Sequence, residues 1–231
     1  MTRPLVSLVT PCCNGEAFLG RYFSCVLSQT YPRIEVVLVD DGSTDSTLAV
    51  AEAHRPALEA RGYRLVCLRQ EHAGQAAAVN RGLAAAAGEY IAWPDSDDLM
   101  RPDNVGRKAR YLDEHPEAGF VCCQVALVDE GDPARVLAVR RVEDTGDPWL
   151  FDRLIRDKGA FCLDIAYLAR LGALRRAGRP ADRREPRRAE SAASAAARVP
   201  VPVRLHRRAA RLVRGPGGQP LEELLRRARA P

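Results

Sequence analysis

The chain reads as an α/β fold, a mostly parallel sheet with helices on its faces. Three observations lead there. Short apolar strands alternate with amphipathic or alanine-rich helical segments through the first half, the pattern of βαβ units. Residues 34–39 form a continuous β-branched and apolar run, as expected of a parallel strand buried on both faces. Two of the strands run straight into clusters of aspartates, and ligands of open α/β sheets bind outside the carboxyl ends of the strands.

In chain order, Leu5–Thr10 is the first strand. Ala17–Gln29 is the first helix, with Phe18, Leu19, Tyr22, Phe23, Val26 and Leu27 at helical spacing. Ile34–Val39 is the second strand. A helix over Ser46–Ala60 contains Pro56, which breaks or kinks it. Tyr63–Arg69 is the third strand, and the loop from Gln70 to Gly74 leads into an alanine-rich helix, Gln75–Ala87. Tyr90–Trp93 is the fourth strand. Pro102 suits the first turn of a helix over Pro102–Glu114. Gly119–Val128 is the fifth strand, and Arg135–Val142 is a weaker hairpin partner. After Gly146 the signal thins. Trp149, Leu150, Phe151, Leu154 and Ile155 fit an amphipathic helix, and Ala160–Leu174 fits a strand or loop followed by a helix.

The two acidic turns carry the chemistry. Asp95, Asp97 and Asp98 put three carboxylates within four residues directly after an apolar strand. Like charges this close raise one another's pKa, so a cation between them is one explanation of the cluster. Mg²⁺ or Mn²⁺ suits it, because these ions take one or two carboxylates and complete their shell with substrate phosphates. The alternative is a solvated turn that caps the next helix. Upstream, Asp40 and Asp41 end the second strand. They are followed by Gly42, which permits a tight turn, and by Ser43, Thr44 and Asp45, which can cap a helix. Both acidic turns are therefore expected to face one crevice.

Composition bounds the rest. The length of 231 residues suits one α/β domain with an appendage. No apolar stretch is long enough to cross a membrane as a helix, and Leu5–Val9 is too short for a signal h-region. The seven cysteines (12, 13, 25, 67, 122, 123 and 162) show no metal-binding spacing. They read as reduced, mostly buried thiols of a cytoplasmic protein. The net charge of +5 hides an asymmetry. From residue 168 onward there are 17 arginines against 5 acidic residues, a net of +12, whereas the first 167 residues carry a net of −7. There is no Ile, Phe, Tyr or Trp after Tyr167. Residues 179–231 are rich in Arg, Ala and Pro, bury too little to offset chain entropy, and are expected to lack order apart from one short helix near Leu221–Arg229. No aromatic residues interleave with those arginines, so nucleic acid is not an expected partner. Peripheral association with an anionic membrane face is the alternative role of the tail. A dinucleotide-binding dehydrogenase is excluded, since no G-x-G-x-x-G follows the first strand.

Thr10-Pro11-Cys12-Cys13-Asn14, Ser28-Gln29-Thr30-Tyr31-Pro32, Glu35 through Asp45, Gly74 with Asn80-Arg81-Gly82, Gly88-Glu89-Tyr90-Ile91 and Asp95-Ser96-Asp97-Asp98 occur in this order over about residues 4–130. The ordered set resembles the family 2 glycosyltransferases of the GT-A fold. The resemblance implies a nucleotide-sugar-binding half over 4–130, a partial acceptor half over 131–178, and a tail over 179–231. It implies a nucleotide-diphosphate sugar as donor, a UDP-sugar favoured, Mn²⁺ or Mg²⁺ as cofactor, and a glycan, lipid or small-molecule hydroxyl as acceptor. Inversion of configuration is implied in the same way.

By the same resemblance, Asp41 contacts the base, Asp40 supports its turn, and Pro11 and Asn14 line the nucleotide pocket. Gly74 and Asn80 belong to the same pocket. Asp97 reaches the ribose or the metal, and Asp98, or Asp95 with Asp97, coordinates the cation. The residue-level alternatives are a turn or capping role for Asp40, an Asx-turn for Asn14, and plain loop and helix positions for Gly74 and Asn80. Two positions depart from the pattern. Cys13 stands where the family usually has an aromatic residue, and Val79 where it often has Arg. A catalytic base is not identifiable. Asp164, Asp182 and Glu185 are the acidic candidates, none within a family pattern, and the alternative function is a nucleotide- and metal-binding module that transfers nothing. Periodicity, aromatics and family pattern all end near residue 178, as a change of reading frame in a GC-rich gene would produce. Sequencing through codons 175–185 checks this; an intact frame matched by peptides of the native protein overturns it.

Overall fold

The computed structural model describes residues 2–129, 131–140, 166–177 and 199–205. The strands are β1 (Val6–Cys12), β2 (Ile34–Asp41), β3 (Arg64–Gln70), β4 (Tyr90–Ala92), β5 (Phe120–Val128), β6 (Val136–Arg140), β7 (Tyr167–Arg170) and β8 (Val199–Leu205). The helices are α1 (Glu16–Leu27), α2 (Thr47–Ala53), α3 (Arg55–Ala60), α4 (Gln75–Ala85), α5 (Asn104–Glu114) and α6 (Leu171–Ala177). The strand order is β3-β2-β1-β4-β7-β5-β6, with β8 beside β5.

β3, β2, β1 and β4 are parallel neighbours. β7 enters antiparallel between β4 and β5, and β6 runs antiparallel to β5. The order therefore reverses at β1. The chain first winds outward through β2 and β3, then returns to place β4 on the other side. Such a switch point opens a crevice between the loops that leave the two central strands.

Alternation along β2 explains how both faces are covered. Val36 and Leu38 point into a core built with Leu19, Tyr22, Phe23 and Val26 of α1, Ala51 of α2, Leu58 of α3, and Val105, Ala109 and Leu112 of α5. Val37 and Val39 point to the opposite face, against Ala78 of α4 and Leu171 of α6. α4 lies so close to the sheet that a side-chain carbon at Gly82 would run into Val9.

The structure refines several boundaries. β1 and β2 each run two residues further than the apolar pattern, because Asp40 pairs with Cys12 and Arg69, and Asp41 with Gln70. Pro56 ends one helix and begins another, standing in the first turn of α3. Pro102 is not helical. It lies in the turn before α5, where its carbonyl accepts the Thr30 amide at 2.8 Å, and Asp103 takes the N-cap position. Within the Arg-rich stretch, Val199–Leu205 forms a strand parallel to β5, which the composition did not signal. Val199, Val201 and Val203 alternate with Pro200 and Pro202, and successive residues of a strand direct their amides to opposite sides. An edge strand can therefore turn both missing N–H groups outward. The expected helices over 149–155 and 221–229 lie outside the described residues.

The amino ends of the strands are held by a buried carboxylate. Glu35 is fully buried, and its Oε1 accepts Ser7 Oγ at 2.5 Å and the Ala87 amide at 2.6 Å. Ser7 Oγ in turn accepts the Gly88 amide at 2.8 Å. This leaves no room at residue 88. An added Cβ would stand 2.7 Å from Ser7 N and 2.9 Å from Leu5 O, and neither backbone atom can give way cheaply. Gly88→Ala is expected to cost about 2–3 kcal/mol. Gly20, inside α1 with nothing within 4 Å of its added Cβ, behaves oppositely, and Gly20→Ala gains about 0.5–1 kcal/mol. Urea midpoints of the two variants check the pair, and equal midpoints would contradict it.

Candidate functional site at the carboxyl edge of the sheet

The loops after β1 and β2 are stitched into one unit. Asn14 has a positive φ of 52°, a conformation that Asn tolerates better than most residues. From there its amide donates to Ser43 Oγ at 2.8 Å, and its Oδ1 accepts the Thr44 amide at 2.9 Å. Gly15 N donates to Thr47 Oγ1 at 2.8 Å. The helix starts cap each other. Asp45 Oδ2 accepts the Glu16 amide at the head of α1, and Glu16 Oε2 accepts the Ser46 amide before α2 at 2.8 Å. Burial opposes the charge on Asp45, but hydrogen bonds from Thr47 and Glu16 outweigh it, and the carboxyl lies below its ordinary value. Pro11 is buried in β1 opposite Val39, beyond the last residue that β4 pairs.

Asp40 and Asp41 are 1% and 3% exposed. Asp40 braces its own turn, accepting the Ser43 amide at 2.9 Å and facing Arg69 Nε at 3.4 Å. Asp41 is covered by the β3–α4 loop, whose donors it gathers. Oδ1 accepts Gln70 Nε2 at 2.7 Å and the Ala73 amide at 2.9 Å; Oδ2 accepts the Gly74 amide at 2.9 Å and faces His72 Nδ1 at 2.9 Å. Burial again opposes ionisation, and the hydrogen bonds from Ala73, Gln70 and Gly74 prevail, lowering the pKa. Gly42, with φ 76°, lies so near His72 that an added Cβ would be 2.8 Å from the His72 amide nitrogen. Gly74, with φ 90°, opens α4.

The turn after β4 joins this unit. Asp98 N donates to Asp95 O at 3.2 Å, and Asp95 Oδ1 accepts Gln75 Nε2 at 2.9 Å, from the residue next to Gly74. Ser96 reaches the Cys12 thiol; burial, reinforced by the charges of Asp40 and Asp45, pushes that thiol up to about 11. The structure thus brings both acidic turns to one edge, linked through the β3–α4 loop. It also divides the triplet. Asp95 and Asp97 are partly exposed, whereas Asp98 is 3% exposed and directed inward. Inward lies Lys108 of α5, 2% exposed, whose pKa burial lowers while Cys123, Cys122 and Asp98 oppose the shift. Asn80 lies on the exposed face of α4, five residues beyond Gln75.

The start of α5 is fixed from a distance. Gln29, fully buried, donates to the Cys25 and Arg101 carbonyls at 3.1 and 2.8 Å and accepts the Val105 amide at 3.2 Å. Three residues of this edge escape a sequence reading: His72, Gln75 and Lys108. His72 and Gln75 flank Gly74, which marked the loop without revealing its neighbours' partners. Lys108 occupies a core-facing position of α5 between Val105 and Leu112, an apolar register that singles out a charged residue. Asp164, Asp182 and Glu185 lie outside the described residues.

Asp95 and Asp97 offer hard oxygen donors on the open side of the turn, and these fit Mg²⁺ or Mn²⁺. Among the described residues no three His, Cys, Asp or Glu side chains gather into a metal cluster, so an ion here would take its remaining ligands from substrate and water.

A family model, Glycosyl transferase family 2, matches residues 7–162. Glycosyltransferase GlyG of Streptococcus pneumoniae is 39% identical over 129 residues, 55% of this chain and 41% of that protein. A PGL/p-HBAD biosynthesis glycosyltransferase of Mycobacterium tuberculosis is 35% identical over 128 residues, 55% of this chain and 49% of that protein. The chain spans about half the length, or less, of these curated relatives. Among solved structures, S. aureus TarS in complex with UDP-GlcNAc superposes with a TM-score of 0.59 at 23% identity, over 74% of this chain and 47% of that one. A mannosyltransferase of Pyrobaculum calidifontis in complex with GDP-Man and Mn²⁺ gives 0.57 at 27%, over 77% and 48%. The fold is the one these glycosyltransferases share, and with the family model covering more than half of its length, the chain belongs to glycosyl transferase family 2.

Proposed function

We propose that the crevice between the β1 and β4 loops holds a nucleotide-diphosphate sugar. The chain then transfers the sugar, with inversion, to a hydroxyl of a glycan, lipid or small molecule. One observation carries this: both acidic turns stand at the switch point of the sheet and share one loop, Asp41 binding Gly74 and Gln75 binding Asp95. Pro11, Asn14, Asp40, Asp41 and Gly74 shape the nucleoside side, with Asn80 further along α4. A UDP-sugar is favoured by the likeness to TarS with UDP-GlcNAc, and GDP-mannose bound to the Pyrobaculum enzyme makes GDP the comparison.

Mn²⁺ or Mg²⁺, held by Asp95 and Asp97, would neutralise the charge that develops on the departing diphosphate. Asp98 is buried beneath them and supports the turn. Inversion requires a base to take the acceptor's proton, and the acidic candidates for it lie outside the described residues. A second reading, donor binding without transfer, is favoured by one observation: the family match ends at residue 162, and the acidic candidates for a base, Asp164, Asp182 and Glu185, lie beyond it.

Thermal melting with UDP, GDP and their sugars, with and without Mn²⁺, checks the binding step. The cognate nucleotide with metal raises Tm on the order of 5–10 °C at a hundredfold excess over Kd, and no shift with any of them contradicts the proposal. Asp95→Asn and Asp97→Asn each weaken Mn²⁺-dependent nucleotide binding by at least about tenfold, with Tm of the free protein unchanged. Asp98→Asn lowers the stability of the free protein by about 1–3 kcal/mol. Equal behaviour of the three variants would argue against the division of the turn. Transfer separates the two readings: a glycosylated product from the cognate donor supports the enzyme, and saturable binding with neither transfer nor hydrolysis on any acceptor supports the binder.

A further inference from the structure

The loops after β1, β2, β3 and β4 carry two rings, Trp93 and His72. Trp93 is engaged elsewhere. It stacks on Tyr167, with ring planes 6° apart, and packs against the core. His72 is open: its side chain is 70% exposed while Nδ1 is fixed on Asp41, 2.9 Å from Oδ2 and 3.2 Å from the carbonyl oxygen. Cys13, on the facing β1 loop, is exposed, with its sulfur 3.9 Å from His72 Nδ1, and a thiol offers no flat surface. Asp41 accepts from Gln70, Ala73 and Gly74 and faces His72 Nδ1, so that the imidazole is held at the mouth of the site. A base arriving beside Asp41 meets the open ring of His72.

We propose that His72, held in place by Asp41, is the stacking platform for the nucleotide base. This rests on the nucleotide-sugar reading above. Base–ring stacking tolerates different bases, so His72 sets affinity for the nucleoside, with little preference among bases arising from the ring itself.

Titration calorimetry of UDP and GDP in Mn²⁺ tests it on four proteins: wild type, His72→Ala, His72→Phe and His72→Asn. Phe keeps a flat face without the Asp41 contact, and Asn keeps a donor toward Asp41 without the face. Stacking predicts that Ala and Asn both weaken nucleotide binding by roughly 5- to 150-fold and that Phe stays within about threefold of wild type. Pyrophosphate with Mn²⁺, which has no base, binds all four alike. The opposite ranking, Asn like wild type and Phe like Ala, overturns the proposal in favour of a loop-anchoring role. Loss of pyrophosphate affinity in His72→Ala overturns it in favour of an electrostatic one. If wild type binds neither nucleotide, the nucleotide-sugar reading fails first. If it binds one and the variants do not differ, His72 alone is refuted.

Discussion

Burial of the Asp41 carboxylate is the interaction on which the site depends. A charge almost removed from water at the end of a strand is tolerated only where hydrogen bonds replace its hydration. The replacement comes almost wholly from one short loop, residues 70–74, two of whose donors are backbone amides. The loop is therefore held by the aspartate as much as the aspartate by the loop. Because Gly74 is also the residue before α4, the same contact fixes the helix start, and with it Gln75 and its reach to Asp95. Removing the charge would loosen both acidic turns, although only one of them contains Asp41.

The opposite edge follows the same logic with a different result. Glu35 is also a buried carboxylate satisfied by a hydroxyl and an amide, Ser7 and Ala87, but these donors come from a strand and the turn before β4, packed against a glycine with no space beside it. It locks β1, β2 and the entry to β4 together. At the amino ends the network surrounds Gly88 and meets exposed Arg64, 3.5 Å from Glu35 Oε2, whereas at the carboxyl ends it finishes in His72 and Asp95, with the partly exposed Asp97 beside them. One sheet thus holds a structural network and an open one at its two ends, as expected where ligands approach only the carboxyl ends of the strands.

Much of this was legible in the sequence because the signals are local. Alternating apolar runs placed the strands and helices to within a few residues, Pro56 marked the break between α2 and α3, and aspartates after apolar strands marked the site edge. What was not legible depends on contacts between distant segments. Nothing near Gln29 says that its amide reaches α5, 76 residues away in the chain. Nothing in Asp95-Ser96-Asp97-Asp98 says which carboxylate turns inward; only the packing of the turn against other elements buries Asp98. Val199–Leu205 escaped because the bulk composition of residues 179–231 points to too little apolar burial, although strict alternation of valine with proline suits an edge strand.

The inward turn of Asp98 bears on how a cluster of like charges should be read. Three carboxylates in four residues suggested a shared cation, since a solvated turn gives no reason for such crowding. The fold lowers the repulsion differently, by separating the charges across a surface. One goes below, buried on the side of α5, and two remain above, where a single hard cation could bridge them to a diphosphate. The open pair then presents two charges to a cation where a three-carboxylate cage would present three, and it leaves coordination positions for substrate oxygens.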